Sequence, residues 1–293
     1  MWPRHSRAIL TVVLAVAALG LGVAAHAGPK FKVLHGFGSG QDGAGLWGSL
    51  ARDSAGNLYG TTSGGGAYGY GTVFQLTPSA NGQWKERILR SLRLNDPRGD
   101  DLTGTPIVDG AGNLYVTASD GGGPDKNGTV FELTPGSGGW NLHVLYRFQA
   151  GGGEQADAGV IMDKAGNLYG PGLELSPGPH GWKLKVLHKF PSYQGDGADP
   201  YAAPIIDAEG NLYGTTNHGG GSKQCDAGCG TAYELSPGPG GKWKERILHR
   251  FGAFRDDGTF PAGGALAIDA AGNLHGATAR GGNRQGPVRW HGL

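Results

Sequence analysis

One short motif, Asp-x-x-Gly-Asn-Leu followed by Tyr or His, recurs along the whole chain. Its copies begin at Asp53, Asp109, Asp163, Asp207 and Asp269. Self-similarity at a near-constant spacing is the signature of a repeat architecture, in which each copy is one supersecondary unit that packs on its neighbours. The motif therefore predicts a single tandem-repeat fold before any individual residue is considered.

Each repeat contains four short runs with β-strand character. In the first repeat, the first run ends at Asp53, and the others cover residues 57–62, 71–78 and 84–92. The third run alternates apolar and polar residues, which is typical of a half-buried strand. Four consecutive antiparallel strands in a unit of about 40–60 residues are typical of a propeller blade. We predict an all-β fold, a β-propeller of about five four-stranded blades.

The third blade is expected to be short, because Asn167-Leu168-Tyr169-Gly170 runs almost directly into Leu173. Residues 31–37 have a fourth-strand sequence without the three preceding strands, and the last repeat lacks a clear fourth strand. We expect the N-terminal strand to close the last blade, which would remove two exposed sheet edges. The alternative is an open array or a fragment of a larger ring, because residues 286–293 depart from the repeat.

The first 27 residues have the features of a secretory signal peptide. Arg4, His5 and Arg7 precede an apolar run that ends at the small-residue site Ala25-His26-Ala27. A membrane-anchoring helix is the alternative, since a spanning helix needs about 20 apolar residues. We predict cleavage after residue 27, one repeat domain over residues 28–293, and no membrane span once the signal is removed. The predicted location is secreted, periplasmic or on the cell surface.

The charge pattern argues against a nucleic-acid-binding protein, and the placement of the glycines argues against a disordered one. The formal net charge is +1 and no basic stripe is present, which argues against a nucleic-acid partner. Glycine contributes 59 of the 293 residues, far above the usual share of about 7%. Because these glycines recur at fixed places within the repeats, they indicate turns rather than disorder.

Function is expected in two sets of loops that open on the same face of a propeller. These are the connections between blades and the connections between the second and third strands, whose lengths vary while the strands do not. Carboxylates accept hydrogen bonds from sugar hydroxyls, and aromatic rings stack on sugar rings. The candidate ligand-binding residues are Asp42, Trp47, Asp196, Asp199, Tyr201 and Asp257. The alternative is that each Asp-Gly pair only forms a turn.

Metal sites are not predicted. Ca²⁺ is a further option, because Asp196 and Asp199 offer nearby oxygen ligands, although the segment lacks the residue pattern of an EF-hand loop. His35, His188 and His249 occupy one position of the fourth strand. We expect them on the surface, because zinc ligands must converge and equivalent positions of different blades lie far apart.

The two cysteines, Cys225 and Cys229, are separated by three residues in a glycine-rich segment. In an exported chain they are expected to form a local disulfide. The alternative, a redox-active pair, lacks the Cys-x-x-Cys spacing and the helix N-terminus that lowers a thiol pKa.

The string DSAGNLYGTTSGGGAYGYGTVFQLTP, followed by WKERILRSL, resembles the GloVer tandem-repeat family of exported bacterial proteins. The resemblance extends from about residue 31 to residue 290. It implies a bacterial protein that is secreted or displayed on the cell surface, often with a separate C-terminal anchor.

These observations favour a non-catalytic secreted repeat protein whose Asp/Gly-rich loops bind a glycan or another cell-surface ligand. No catalytic residue and no cofactor are predicted. A glycoside hydrolase or lyase on a propeller scaffold is one alternative, because two carboxylates could serve as acid and base. A structural or adhesive surface protein without a small-molecule ligand is the other.

Overall fold

The computed structural model describes residues 31–38, 40–46, 48–102, 104–124, 126–148, 158–190, 195–261 and 266–281. Within these ranges every element is a β-strand, apart from a three-residue 3₁₀ turn at Pro239–Gly241. All pairs between named strands are antiparallel. The prediction of an all-β fold is confirmed.

The first two repeats each form a sheet in which successive strands are neighbours, as in a propeller blade. The first repeat consists of β1 (Ala51–Arg52), β2 (Leu58–Thr62), β3 (Thr72–Pro78) and β4 (Trp84–Ser91). The second consists of β5 (Asp100–Leu102), β6 (Ile107–Val108), β7 (Leu114–Asp120), β8 (Thr129–Gly136) and β9 (Gly139–Arg147). Strand β5 belongs to the incoming connection and pairs with the end of β7, beside β6.

The third and fourth repeats form further four-stranded sheets, and the fifth is described as strand pairs. The third consists of β10 (Ile161–Met162), β11 (Leu168–Gly170), β12 (Leu173–Ser176) and β13 (Lys183–Val186). The fourth consists of β14 (Gly197–Ala198), β15 (Ile205–Ile206), β16 (Leu212–Thr216), β17 (His218–Gly219), β18 (Thr231–Pro237) and β19 (Trp243–Arg250). The fifth contains β20 (Gly258–Thr259), β21 (Ala267–Ile268), β22 (Leu274–His275) and β23 (Arg280–Gly281). The fold is therefore of the β-propeller class, with five repeats.

The marker aspartate closes the turn between the first and second strands of each repeat. In the first repeat, Asp53 Oδ1 accepts a hydrogen bond from the backbone N–H of Asn57 (2.8 Å), and Oδ2 accepts from Asn57 Nδ2 (2.7 Å) and Tyr59 Oη (3.0 Å). Gly56 occupies the left-handed region (φ 86°), where a side chain would be strained. One carboxylate thus explains why Asp, Gly, Asn and Tyr recur together.

The short third repeat keeps all four strands because a tight turn replaces its missing loop. Strands β11 and β12 are joined through Gly172, which has φ 69°. A Cβ at Gly172 would lie 2.2 Å from the carbonyl oxygen of His188, so only glycine fits this approach. The prediction of a shortened third blade is confirmed.

Aromatic contacts join successive repeats. The tyrosine of each of the first three marker motifs packs against the tryptophan near the start of the fourth strand of the next repeat. The pairs are Tyr59–Trp140, Tyr115–Trp182 and Tyr169–Trp243, with ring centroids 6.4–6.5 Å apart. The buried clusters likewise draw residues from two neighbouring repeats. The hydrophobic core is therefore a series of boundaries between sheets.

Phe37, which precedes the first repeat, packs against that repeat. Residues 31–38 contain no strand, and within the described ranges they do not pair with β21 or β22. Phe37 contacts Phe74 with ring centroids 4.8 Å apart, just as Phe190, after β13, contacts Tyr233 of the fourth repeat at 4.7 Å. Phe37 therefore occupies the place of a preceding fourth strand. Closure of the last blade stays a prediction, because residues 282–293 lie outside the described ranges.

The predicted signal peptide also lies outside the described residues, which begin at Phe31. All strands belong to the unit that starts at Leu34. In the described part of the chain, no helix has the length and hydropathy needed to cross a membrane.

Candidate functional site

The two predicted loop sets meet on one face. Residues of the connection between repeats pair with residues that follow the second strand, in the pairs β5–β7, β14–β17 and β20–β23. The first repeat has the corresponding bridge between Ala44 and Gly64. We call the surface formed by these paired connections the loop face. The turns at the marker aspartates lie at the opposite end of each sheet, because adjacent strands run antiparallel.

Four of the connections, those into the first, second, fourth and fifth repeats, place one residue at an equivalent left-handed position on the loop face. Gly45 (φ 71°) occupies it in the first repeat, and the residues in the second, fourth and fifth repeats are Asp101 (φ 52°), Asp199 (φ 56°) and Phe260 (φ 56°). In the fourth and fifth repeats the backbone N–H groups of Asn217 (3.0 Å) and Ala279 (2.8 Å) donate to the carbonyls of Asp199 and Phe260. A bulky residue such as phenylalanine is rare in this conformation, and such strain collects at functional positions.

Four of these loop-face side chains contact one another between the fourth and fifth repeats. Asp199 Oδ2 lies 2.9 Å from His218 Nδ1. The His218 ring meets the Phe260 ring at a centroid distance of 5.7 Å, and the guanidinium of Arg280 lies 5.5 Å from the centre of the same ring. We call Asp199, His218, Phe260 and Arg280 the junction cluster. It combines a carboxylate, an imidazole, a guanidinium and an aromatic ring on an accessible surface.

The structure separates the predicted binding residues into two groups. Asp199 belongs to the junction cluster, and Tyr201, two residues later, is 45% exposed. The side chain of Asp196 is 37% exposed and lies 3.7 Å from His188 Nε2. Trp47 lies outside the described residues.

The other two predicted residues, Asp42 and Asp257, are buried. Asp42 Oδ1 accepts a hydrogen bond from the backbone N–H of Gly38 (3.3 Å). Asp257 Oδ2 accepts from the N–H of Ala253 (3.0 Å) and lies 2.9 Å from His249 Nε2. Both carboxylates face into boundaries between repeats, where a histidine meets each of them.

The expectation that the three aligned histidines are surface residues is wrong. Their side chains are 22%, 20% and 17% exposed for His35, His188 and His249, and each lies within 3.7 Å of a carboxylate. The reason is that the end of a fourth strand packs onto the next repeat, where an aspartate of the connection meets it. Burial lowers the pKa of His188 and of His249, against the opposing effect of the aspartates.

Two of these histidines also face a glutamate of the following fourth strand. His35 Nε2 lies 3.6 Å from Glu86, on β4, and His188 Nε2 lies 3.5 Å from Glu245, on β19. Burial raises the pKa of Glu86. Burial, followed by the neighbouring Asp196, raises the pKa of Glu245 to about 7. The sequence interpretation missed these glutamates, although both stand in the identical string Trp-Lys-Glu-Arg-Ile-Leu.

The predicted disulfide is present between Cys225 and Cys229, with an S–S distance of 2.12 Å. It lies in the loop between β17 and β18, where Cys229 is fully buried and packs with Ala232 and Phe251. The bridge therefore fixes part of a loop that belongs to the loop face.

Several solved structures resemble this chain at low identity. They include PorZ, a surface component of the type-IX secretion system of Porphyromonas gingivalis (TM-score 0.47, 14% identity, 81% of this chain and 32% of that one). A second is the extracellular domain of a protein assigned to a hybrid two-component system of B. thetaiotaomicron (TM-score 0.45, 9% identity, 81% and 26%). A third is a gluconolactonase of Xanthomonas campestris (TM-score 0.42, 15% identity, 80% and 68%). The chain thus spans about a third or less of the first two proteins.

No curated protein sequence matches the chain. Residues 21–181 match the family described as Gloeobacter/Verrucomicrobia repeat, the GloVer family whose motif the sequence resembles. The match covers more than half of the chain, and the same marker motif continues to Asp269. The chain therefore belongs to the Gloeobacter/Verrucomicrobia repeat family.

Proposed function

We propose that the protein is a non-catalytic, exported repeat protein that binds a glycan of a cell surface on its loop face. In this proposal residues 1–27 are a signal peptide and residues 28–293 form one repeat domain. The Cys225–Cys229 disulfide supports export, because disulfides persist in oxidising compartments and are rare in the cytosol.

The observation that carries the proposal is the junction cluster. A saccharide presents hydroxyl groups, which can donate to the Asp199 carboxylate and accept from the Arg280 guanidinium. It also presents apolar ring faces that fit an aromatic side chain such as Phe260 or the exposed Tyr201. Arg280 is exposed and Phe260 partly so, which leaves both groups accessible to a ligand from solvent.

Binding is favoured over hydrolysis by the positions of the carboxylates. A glycosidase needs two carboxyl groups on either side of the scissile bond. Asp199 is engaged with His218, whereas Asp42 and Asp257 face the interior of the repeat boundaries. The junction cluster thus offers one carboxylate beside a cation and an aromatic ring, which suits recognition.

The test is binding of the purified mature protein to an array of bacterial and plant glycans, followed by titration of each retained glycan. We expect Asp199→Asn and Arg280→Gln each to weaken binding about tenfold, since a hydrogen bond to a charged group contributes about 1.5 kcal/mol. Asn is chosen because it tolerates the left-handed conformation of Asp199. Asp101→Asn is the matched control, at the same position of the second repeat, and should leave affinity unchanged.

Two results would contradict the proposal. One is an absence of retained glycan on the wild-type protein, and the other is equal affinity in Asp199→Asn, Arg280→Gln and the wild type. Release of reducing sugar from a bound glycan would instead indicate a glycoside hydrolase.

A further inference from the structure

We propose that the protein holds two divalent metal ions of the Zn²⁺ type at boundaries between repeats. One site consists of His35, Asp42 and Glu86, and the other of His188, Asp196 and Glu245. In each group the three residues offer one ligand atom each, and these atoms lie within 4.8 Å of one another. Neither site shares a residue with the junction cluster, and neither depends on the proposed function.

The distances within each group fit a tetrahedral ion. His35 Nε2 lies 3.5 Å from Asp42 Oδ2 and 3.6 Å from Glu86 Oε2. His188 Nε2 lies 3.7 Å from Asp196 Oδ2 and 3.5 Å from Glu245 Oε1. Zinc bonds to nitrogen and oxygen of about 2.0–2.2 Å place tetrahedral ligands about 3.3–3.6 Å apart. The observed distances between nitrogen and oxygen are longer than ordinary hydrogen bonds and close to the distance between two ligands of a tetrahedral zinc ion.

Buried ligand atoms in both groups lack a hydrogen-bond partner among the described residues. They are His35 Nε2, Glu86 Oε1, His188 Nε2 and Glu245 Oε1. An unsatisfied buried polar atom is costly, and each one in a native structure calls for an explanation such as an ion. A histidine Nε2 and a glutamate Oε1 thus lack a hydrogen-bond partner at each of two boundaries that share no residue. A common ligand accounts for both.

Histidine and glutamate occur together or not at all at the boundaries with a described fourth strand, whereas aspartate is also present beside Arg90, as Asp96. Where the segment that precedes a repeat carries histidine, the fourth strand of that repeat carries glutamate, as in His35 with Glu86 and His188 with Glu245. Where the histidine is replaced by Arg90 or Tyr146, the glutamate position holds Leu142 or Leu184.

Neighbouring boundaries show what replaces an ion. Beside Arg90, the guanidinium of Arg98 lies 2.8 Å from Asp96 and supplies the positive charge itself. At the boundary before the fifth repeat, His249 Nε2 lies only 2.9 Å from Asp257 Oδ2, a direct hydrogen-bond distance. The wider spacing is therefore specific to the groups that contain glutamate.

The ligand set selects the class of ion. Imidazole favours zinc and the later first-row metals over Mg²⁺ and Ca²⁺, which prefer oxygen alone. Three protein ligands leave a fourth position for water. Each histidine is oriented by an edge-on phenylalanine two residues later, with ring centroids 4.5 Å apart for His35–Phe37 and 4.7 Å for His188–Phe190. An ion at either site would link the end of one strand to the fourth strand of the next repeat.

The experiment uses the full mature chain, freed of metal with a chelator and titrated with Zn²⁺ against a chromophoric competitor. We expect two tight equivalents per chain in the wild type, one in Glu86→Gln, one in Glu245→Gln and none in the double variant. His249→Gln is the matched control, because its boundary has no described glutamate, and it should retain both equivalents. Circular dichroism verifies that each variant is folded.

A second readout does not depend on any variant. Co²⁺ added to the metal-free wild type should give the visible absorption of a tetrahedral nitrogen–oxygen site, saturating at two equivalents and displaced by Zn²⁺. Fewer than two tight equivalents in the wild type, or unchanged stoichiometry in the double variant, would overturn the proposal. So would octahedral Co²⁺ spectra alone.

Discussion

Replacing the marker aspartate of the third repeat tests how much one carboxylate stabilises the fold. Asp163 Oδ1 accepts from the backbone N–H groups of Ala165 (2.8 Å) and Asn167 (2.9 Å). Its Oδ2 accepts from Asn167 Nδ2 (2.9 Å) and from Tyr169 Oη (3.2 Å). Burial opposes ionisation of Asp163, but the hydrogen bonds from Asn167 and Tyr169 outweigh burial and hold its pKa below the usual value.

The expected loss follows from these contacts. In Asp163→Ala, the N–H of the exposed Ala165 can bind water, so its loss costs little. The three contacts from Asn167 and Tyr169 are partly buried, and at about 1 kcal/mol net for each the variant should lose about 3 kcal/mol of unfolding free energy. Asp163→Asn should lose about 2 kcal/mol, because one acceptor remains while an N–H₂ group faces the donors Asn167 Nδ2 and Tyr169 Oη.

The assay is urea unfolding followed by tryptophan fluorescence, with free energies compared at equal m-value. Asp269→Ala is the matched control, since Asp269 binds Asn273 in the same way but is exposed and faces His275 in place of tyrosine. Its loss should be clearly smaller. A loss below about 1 kcal/mol in Asp163→Ala, or an equal loss in both variants, would refute the reasoning.

Three further predictions follow from individual contacts. Because the pKa of Asp163 is lower in the folded state, its stabilisation is present above about pH 4 and lost at lower pH. The difference between the urea midpoints of wild type and Asp163→Asn should therefore shrink as the pH falls below about 4, and a constant difference would contradict this. In Gly214→Ala the new Cβ would lie 2.3 Å from Tyr233 Oη, so calorimetry should show a loss of about 1–3 kcal/mol of unfolding free energy. The control Gly110→Ala places its Cβ where no atom lies within 4 Å, and its unfolding free energy should be unchanged. Replacing Cys225 and Cys229 with serine should remove about 2 kcal/mol by opening a short loop, and equal urea midpoints would refute that value.

The repeat sheets could be predicted from the sequence because their determinants are local. Asp53, Gly56, Asn57 and Tyr59 lie within seven residues, and the turn they form is complete within one repeat. The alternating third strands and the shortened third repeat are equally local. The cysteine pair was also predictable, since only a short loop separates Cys225 from Cys229.

The repeat boundaries could not be predicted, because they depend on how one sheet packs on the next. Asp42 and Asp257 follow the strands as ordinary Asp-Gly turns, yet packing buries them against His35 and His249. Whether the end of a fourth strand faces solvent or the next repeat is not encoded in its own residues. The loop face was predicted in part: the two loop sets were expected on one face, but their strand pairing and the contact of Arg280 with Phe260 were not.

Hydrogen exchange with and without the glycan selected on the array locates the binding surface on the molecule. We expect ligand protection to be confined to the loop face, at residues 195–201, 217–219, 258–261 and 278–281. The turns at the five marker aspartates, at the opposite end of each sheet, should exchange at unchanged rates. Protection at the marker turns, with none at the loop face, would contradict the assignment of the binding surface.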